Sequence, residues 1–247
     1  MPGPLMSLLT PPRHRGAEIL DDPYVAPQLV ERSLRDVALA NRLFGGGRAV
    51  LVELAPVFAR LAERGGEATL LDVGTGLGDI PAAARALAAR HGLALTTVGL
   101  DAAEALARIS RARTALSVCG SALALPFRSR SVDVVSCSQV LHHFAGAEAR
   151  QLIAELDRVA RVRVVIGELR RSWAAAAGIW LASFPLRFHP VSRHDGVVSV
   201  MRGFTAAELR DHVRDAVGVT PDVGHRVIAR VTASWQPAAA RKAVSGE

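Results

Sequence analysis

Apolar residues recur at helical spacing from 26 to 44 (Leu29, Val30, Leu34, Val37, Ala38, Leu43), and Gly45-Gly46-Gly47 closes that run. A second helix is predicted over 49–63, stopped at Gly65-Gly66. The next run, Ala68-Thr69-Leu70-Leu71-Asp72-Val73, is apolar without helical period and reads as a buried parallel strand. Strand and helix then alternate: a helix over 80–91, a strand over 95–100, a short helix over 102–110 and strands over 115–119 and 132–137. A helix over 148–160 and a fifth strand over 162–168 complete the series. Such alternation implies a parallel sheet with helices on both faces.

The pattern changes after Arg171. An apolar helix over 173–184 precedes an irregular stretch at 187–203. Thr205 then opens a helix as N-cap, with Glu208 three residues on in capping-box spacing. Runs at 218–223 and 225–234 read as paired edge strands. The expected fold is α/β: a Rossmann-like, doubly wound, mostly parallel seven-stranded sheet with an antiparallel C-terminal edge hairpin and an N-terminal helical lid. The domains predicted are a proline-bearing mobile arm (1–20), lid helices (21–66), a ligand-binding domain (67–236) with an insertion at about 172–204, and a flexible tail (237–247).

Composition adds limits. In 247 residues, 50% are hydrophobic, enough for a sizeable core, but alanine supplies much of that fraction. The stretch 173–184 is short of the ~20 apolar residues a bilayer span needs. Met1 to Thr10 place no basic residue ahead of their apolar patch, a poor match to a signal peptide. Cys119 and Cys137 sit in apolar strand-like runs and read as reduced thiols. A soluble, cytoplasmic protein is expected. The net charge of +7 raises the question of nucleic acid, but the basic residues are scattered arginines (Lys242 is the sole lysine) and aromatics are only 4%. Stacking platforms are therefore scarce, and no nucleic-acid partner is expected.

Candidate chemistry centres on Asp72-Val73-Gly74-Thr75-Gly76-Leu77-Gly78, directly after the first strand. Glycines there allow a sharp turn and a close ligand approach, and the following helix offers free N–H groups. Asp101, at the end of the second strand, can accept hydrogen bonds from both hydroxyls of a ribose. Gly120-Ser121-Ala122-Leu123-Ala124-Leu125-Pro126-Phe127 forms an adenine-sized apolar loop. Ser138-Gln139-Val140-Leu141-His142-His143-Phe144 follows the fourth strand. A dinucleotide fingerprint would need Gly-x-Gly-x-x-Gly, and here the third glycine comes one residue early.

In order and spacing, these pieces over about 70–169 resemble the class I S-adenosylmethionine (SAM)-dependent methyltransferases, the broad group that includes ubiquinone and menaquinone biosynthesis methylases. The resemblance implies S-adenosyl-L-methionine as cofactor. Gly74, Thr75, Gly76 and Gly78 would serve its methionine part, with Asp72 supporting the ammonium. Asp101 would hold the ribose, and Ala102, Ala122 and Leu125 would pack near adenine. Ser121 stands where the family often has an aspartate, and Gln139 would lie near the sulfonium. The acceptor is expected to be a small hydrophobic molecule, methylated on a phenol or enol oxygen in quinone or polyketide-like metabolism. A quinone-ring C-methyltransferase and a non-catalytic SAM-binding module are the alternatives.

A phenol or enol needs a proton acceptor, and histidine suits neutral pH. His143 is one candidate. His189 and His194, in the stretch His189-Pro190-Val191-Ser192-Arg193-His194-Asp195-Gly196, are the others, although Asp195-Gly196 also reads as a solvated turn. His189 and His194 lack a convincing third ligand, so no metal is expected. Glu168 and Arg170 can touch the acceptor or form a rim ion pair. Arg42 is a candidate for the SAM carboxylate. The apolar helix at 173–184 can wall a greasy pocket or form a homodimer face.

Overall fold

A computed structural model describes residues 10–14, 16–22 and 24–237. The chain runs α1 (Pro27–Leu43), α2 (Gly46–Arg64), β1 (Glu67–Val73), α3 (Asp79–Arg90), β2 (Ala94–Asp101), α4 (Glu104–Ser110), β3 (Leu116–Cys119) and β4 (Val132–Ser138). There follow α5 (Gly146–Val159), β5 (Ala160–Leu169), α6 (Trp173–Ala182), α7 (Pro190–Arg202), α8 (Ala206–Val217), β6 (Asp222–Arg226) and β7 (Arg230–Trp235). Single 3-10 turns sit at Ile19–Asp21 and Leu141–His143.

The seven strands form one sheet in the order β3-β2-β1-β4-β5-β7-β6. Strands β1 to β5 pair in parallel, and β7 runs antiparallel between β5 and β6. Strand order reverses at β1, with β2 on one side and β4 on the other, so a crevice opens beyond their carboxyl ends. The sheet is buried on both faces. One core joins Leu71, Val135, Leu152, Leu156, Phe204 and Trp235; the other joins Leu54, Phe58, Leu70, Ala84, Leu95 and Val165. Helix α8 starts as expected: Thr205 Oγ1 accepts from Glu208 N–H, and the Glu208 carboxylate accepts from Thr205 N–H. Cys119 and Cys137 are both free thiols.

Three expectations change. The described part of the predicted mobile arm is anchored. Arg171 Nε donates to Pro11 O at 2.7 Å, His14 N–H donates to Met201 O, and the Asp195 carboxylate accepts from Ile19 and Leu20 N–H at 2.8 and 3.0 Å. The rest of that arm, 1–9, and the tail from 238 lie outside the described residues. The stretch read as irregular holds a helix, α7, with Pro190 at its first turn and His189 Nδ1 accepting from Val191 N–H. Asp195-Gly196 lies inside it rather than in a turn. Its β-branched residues carry little helical propensity, and contacts with the anchored N-terminal strap compensate. Finally, β6 begins four residues later than the strand expected from 218, because α8 continues to Val217 and Gly218 closes it at φ +67°.

Candidate active site

The carboxyl ends of β1, β2 and β4 meet at a cavity of about 1040 Å³. At its floor the chain turns at Gly74 (φ +71°) and Gly76 (φ +54°), conformations that L side chains rarely adopt. The turn is pinned by Gly74 and Thr75 N–H groups donating to Leu100 O at 2.8 and 3.0 Å. A Cβ at Gly74 would meet Val140 Cγ2 at 2.2 Å, whereas one at Gly76 would meet nothing within 4 Å. Asp101 closes β2 beside the turn, accepting from Gly76 N–H (Oδ2) and Ala103 N–H (Oδ1), each at 3.0 Å. Burial pushes its carboxyl above the usual range, against the pull of those N–H groups. Ala102, Ser121 and Ala122 continue this wall, and Asn41 of α1 faces it. Gln139, at φ +56°, donates from Nε2 to Asn41 Oδ1 at 2.5 Å and so ties β4 to α1.

Beyond Gln139 the wall becomes ionic. His142 is buried, with Nδ1 2.9 Å from Glu168 Oε2 and Nε2 3.7 Å from Glu18 Oε1. Burial would push the imidazole down, but Glu168 and Glu18 outweigh it and hold the pKa up at about 9. The ring is therefore an imidazolium at neutral pH. Burial works against ionisation of both carboxyls too, yet His142 keeps them below the usual range. His143 Nδ1 lies 3.0 Å from Asp21 Oδ1, and Arg202 Nη1 bonds both Asp21 Oδ2 (2.9 Å) and Glu18 Oε1 (3.1 Å). The hydrogen bond from His143 holds the Asp21 carboxyl well below the carboxylate range, with a smaller opposing push from burial. Opposite, Ile179, Phe188, Leu169 and Val200 make an apolar face.

The cavity suits an adenosyl ligand. A glycine turn with open space at Gly76 allows close backbone approach, and a carboxylate stands at the end of β2 for a diol. Residues 71–165 match the family model described as a methyltransferase domain. The chain therefore carries a methyltransferase domain over those residues. S-adenosylmethionine is the cofactor this cavity fits.

Solved structures share the fold of this methyltransferase. A Haloferax volcanii chain from a complex with the Trm112 methyltransferase activator is 16% identical, with 86% of this chain and 99% of that one covered at a TM-score of 0.57. A SAM-dependent methyltransferase from Thermotoga maritima is 15% identical over 85% and 99% of the two chains, with a TM-score of 0.51. The magnesium protoporphyrin IX methyltransferase of Synechocystis PCC 6803, solved with bound SAM, is 13% identical over 78% and 80%, with a TM-score of 0.50. No curated protein matches the chain in sequence.

Within the methyltransferase domain, Gly74, Thr75, Gly76, Asp101, Ala102, Ser121, Ala122 and Gln139 all line the cavity, as does His143. Other expected residues do not. Asp72 is sealed beneath the turn, where it accepts from Ser136 Oγ at 2.6 Å and burial pushes its carboxyl up to about 7. Its place is to brace β1 against β4. Leu125 belongs to the core, its N–H held by Glu155 Oε2. Gly78 (φ +74°) caps α3, where an added Cβ would meet Arg113 Cβ at 3.2 Å. His189 is spent on capping α7. His194 points outward, half exposed, onto Asp195 Oδ1 at 2.8 Å. Arg42 is exposed. Glu168 and Arg170 do not pair: Glu168 takes His142, while Arg170 lines the cavity.

Sequence reasoning missed Glu18, Asp21 and Arg202, because it placed Glu18 on a mobile arm, Asp21 at the edge of the lid and Arg202 in an irregular stretch. Their only signal was the acidic run Glu18 to Asp22 ahead of α1. Helix α1 lines the cavity through Leu34, Val37 and Asn41, but α2, expected in the lid, packs its Leu54 and Phe58 into the core. Glu18, His142 and His143 bring ligand atoms within 4.8 Å of one another, a spacing a metal ion would accept. Both His142 nitrogens already face carboxylates, and Glu18 also takes Ser199 and Arg202. Among the described residues, no helix is long and apolar enough to cross a membrane.

Proposed function

We propose that this methyltransferase acts on the oxygen of a phenol or enol in a small, largely apolar acceptor, of the kind found in quinone or polyketide-like metabolism. The supporting observation is the His143–Asp21 pair on the cavity wall next to Gln139 and Val140. With Asp21 accepting from Nδ1–H, His143 keeps Nε2 as the basic nitrogen, the arrangement a general base needs. Arg202 fixes Asp21 in turn. His142, already protonated between two glutamates, braces this strand end and is not the base. When bound, S-adenosylmethionine supplies an electrophilic methyl group on a sulfonium. The protein's share is to hold the ribose on Asp101, to align the acceptor oxygen, and to take its proton on His143 as the O–CH3 bond forms and the S–CH3 bond breaks.

The apolar face of Ile179, Phe188 and Val200 suits a greasy ring, and the exposed Trp173, Trp180 and Leu181 of α6 suit a homodimer face. The test is turnover of hydroxylated aromatic acceptors with labelled SAM, read by mass spectrometry. O-methylated product is expected. His143→Gln should lower kcat by about 10²-fold or more while leaving S-adenosylhomocysteine affinity unchanged. A ring-methylated product would replace the oxygen assignment with carbon transfer, and cofactor binding without turnover on any acceptor would reduce the chain to a binding module.

A further inference from the structure

Two arginines on the cavity wall have no ion-pair partner among the described residues. Arg170 follows β5, and Arg230 opens β7 in register with Leu169; Arg170 N–H donates to Ala229 O at 2.8 Å. Both line the cavity. Arg230 is only 5% exposed, and the Nε atoms of both are sealed from solvent with no acceptor among the described residues. Arg163 and Arg226 also have sealed, unpartnered Nε atoms, but their Nη2 atoms reach Asp222 and Glu53. Among the described residues Arg170 and Arg230 form no ion pair, and the Arg230 guanidinium donates from Nη1 to the neutral Gln139 Oε1 at 3.3 Å.

The nearby carboxylates are committed. Glu168 serves His142, Glu18 and Asp21 serve Arg202, Asp101 accepts backbone N–H groups, and Asp36 accepts from Ser192 Oγ and His189 N–H. Burial pushes the Arg230 pKa down to about 10, with a smaller opposing pull from the Glu168 charge, so the group remains cationic at neutral pH. A buried cation with no carboxylate in direct contact is costly, and its planar fork matches a carboxylate bidentately.

We propose that Arg170 and Arg230 form a carboxylate subsite, so that the acceptor is an apolar, hydroxylated acid whose carboxylate docks on this pair while its ring lies on the Ile179–Phe188–Val200 face. The inference rests on the methyltransferase reading of the same cavity. The methionine end of the cofactor also carries a carboxylate, and the test separates the two sources.

Benzoate and benzamide, isosteric and differing in charge, are titrated by calorimetry into the wild-type protein saturated with S-adenosylhomocysteine. Benzoate should bind at least about tenfold tighter than benzamide, the worth of a charge-assisted hydrogen bond. Arg230→Gln and Arg170→Gln, checked for intact melting, should each erode that preference and leave S-adenosylhomocysteine affinity unchanged. Equal affinity of the two probes for the wild type, or no benzoate binding, overturns the subsite. So does a loss of S-adenosylhomocysteine affinity in Arg230→Gln with the preference intact, which assigns the arginines to the cofactor. If the wild type fails to bind S-adenosylhomocysteine, the methyltransferase reading itself falls.

Discussion

The buried imidazolium of His142 should make stability fall with alkalinity in a way one substitution removes. Three groups face the ring: Glu168 at 2.9 Å, Glu18 at 3.7 Å and the His143 ring at 4.3 Å between centroids. The folded pKa is raised from 6.5 to about 9, so the folded state holds a proton that the unfolded chain releases earlier. The contribution is fully present below pH 6.5 and is lost as pH rises through 9. Integrating the linkage between these values gives a loss on the order of 1–2 kcal/mol from pH 7.5 to pH 9. His142→Gln should be less stable at pH 7.5 by about 3–5 kcal/mol, since it leaves Glu168 buried without its cation. Its stability should also lack that share of the pH slope. Urea unfolding of both proteins at pH 7.5, 8.25 and 9 measures this, and subtracting the two slopes cancels groups titrating elsewhere. Parallel slopes would refute the claim that His142 is charged between its glutamates.

Asp101→Ala should weaken S-adenosylhomocysteine binding by roughly 1–3 kcal/mol, measured by calorimetry, because charged hydrogen bonds to the ribose are lost; unchanged affinity would remove Asp101 from the site. Gly74→Ala places a Cβ at φ +71° and 2.2 Å from Val140 Cγ2, so it should lose more than about 1 kcal/mol of stability together with cofactor affinity. A variant that melts and binds like the wild type would show that the turn tolerates a side chain.

The two halves of the site were unequally legible in sequence, and the reason is physical. On the proposed cofactor half, Gly74, Gly76 and the strand-terminal Asp101 lie within one βαβ unit, where local periodicity and turn chemistry report directly on geometry. The same rule misplaced Asp72 and Leu125, since a motif position does not say which way a side chain turns once the strand is buried on both faces. On the proposed acceptor half the residues come from three remote segments. Glu18 and Asp21 arrive on the strap that Asp195 pins, Arg202 on a helix with weak intrinsic propensity, and Arg230 through antiparallel pairing of β7 with β5.

The helix α7 shows why no local pattern could have assembled them. Asp195 accepts the N–H groups of Ile19 and Leu20, while Ser199 and Arg202, one and two turns further along the same helix, hold Glu18 and Asp21. The strap is ordered by α7, and α7 is in turn stabilised by the strap, so neither segment's conformation is encoded in its own sequence. His143 acquires its orienting carboxylate only when both are in place. The cofactor turn is thus local and folds with its strand, whereas the proposed base is completed only by long-range packing.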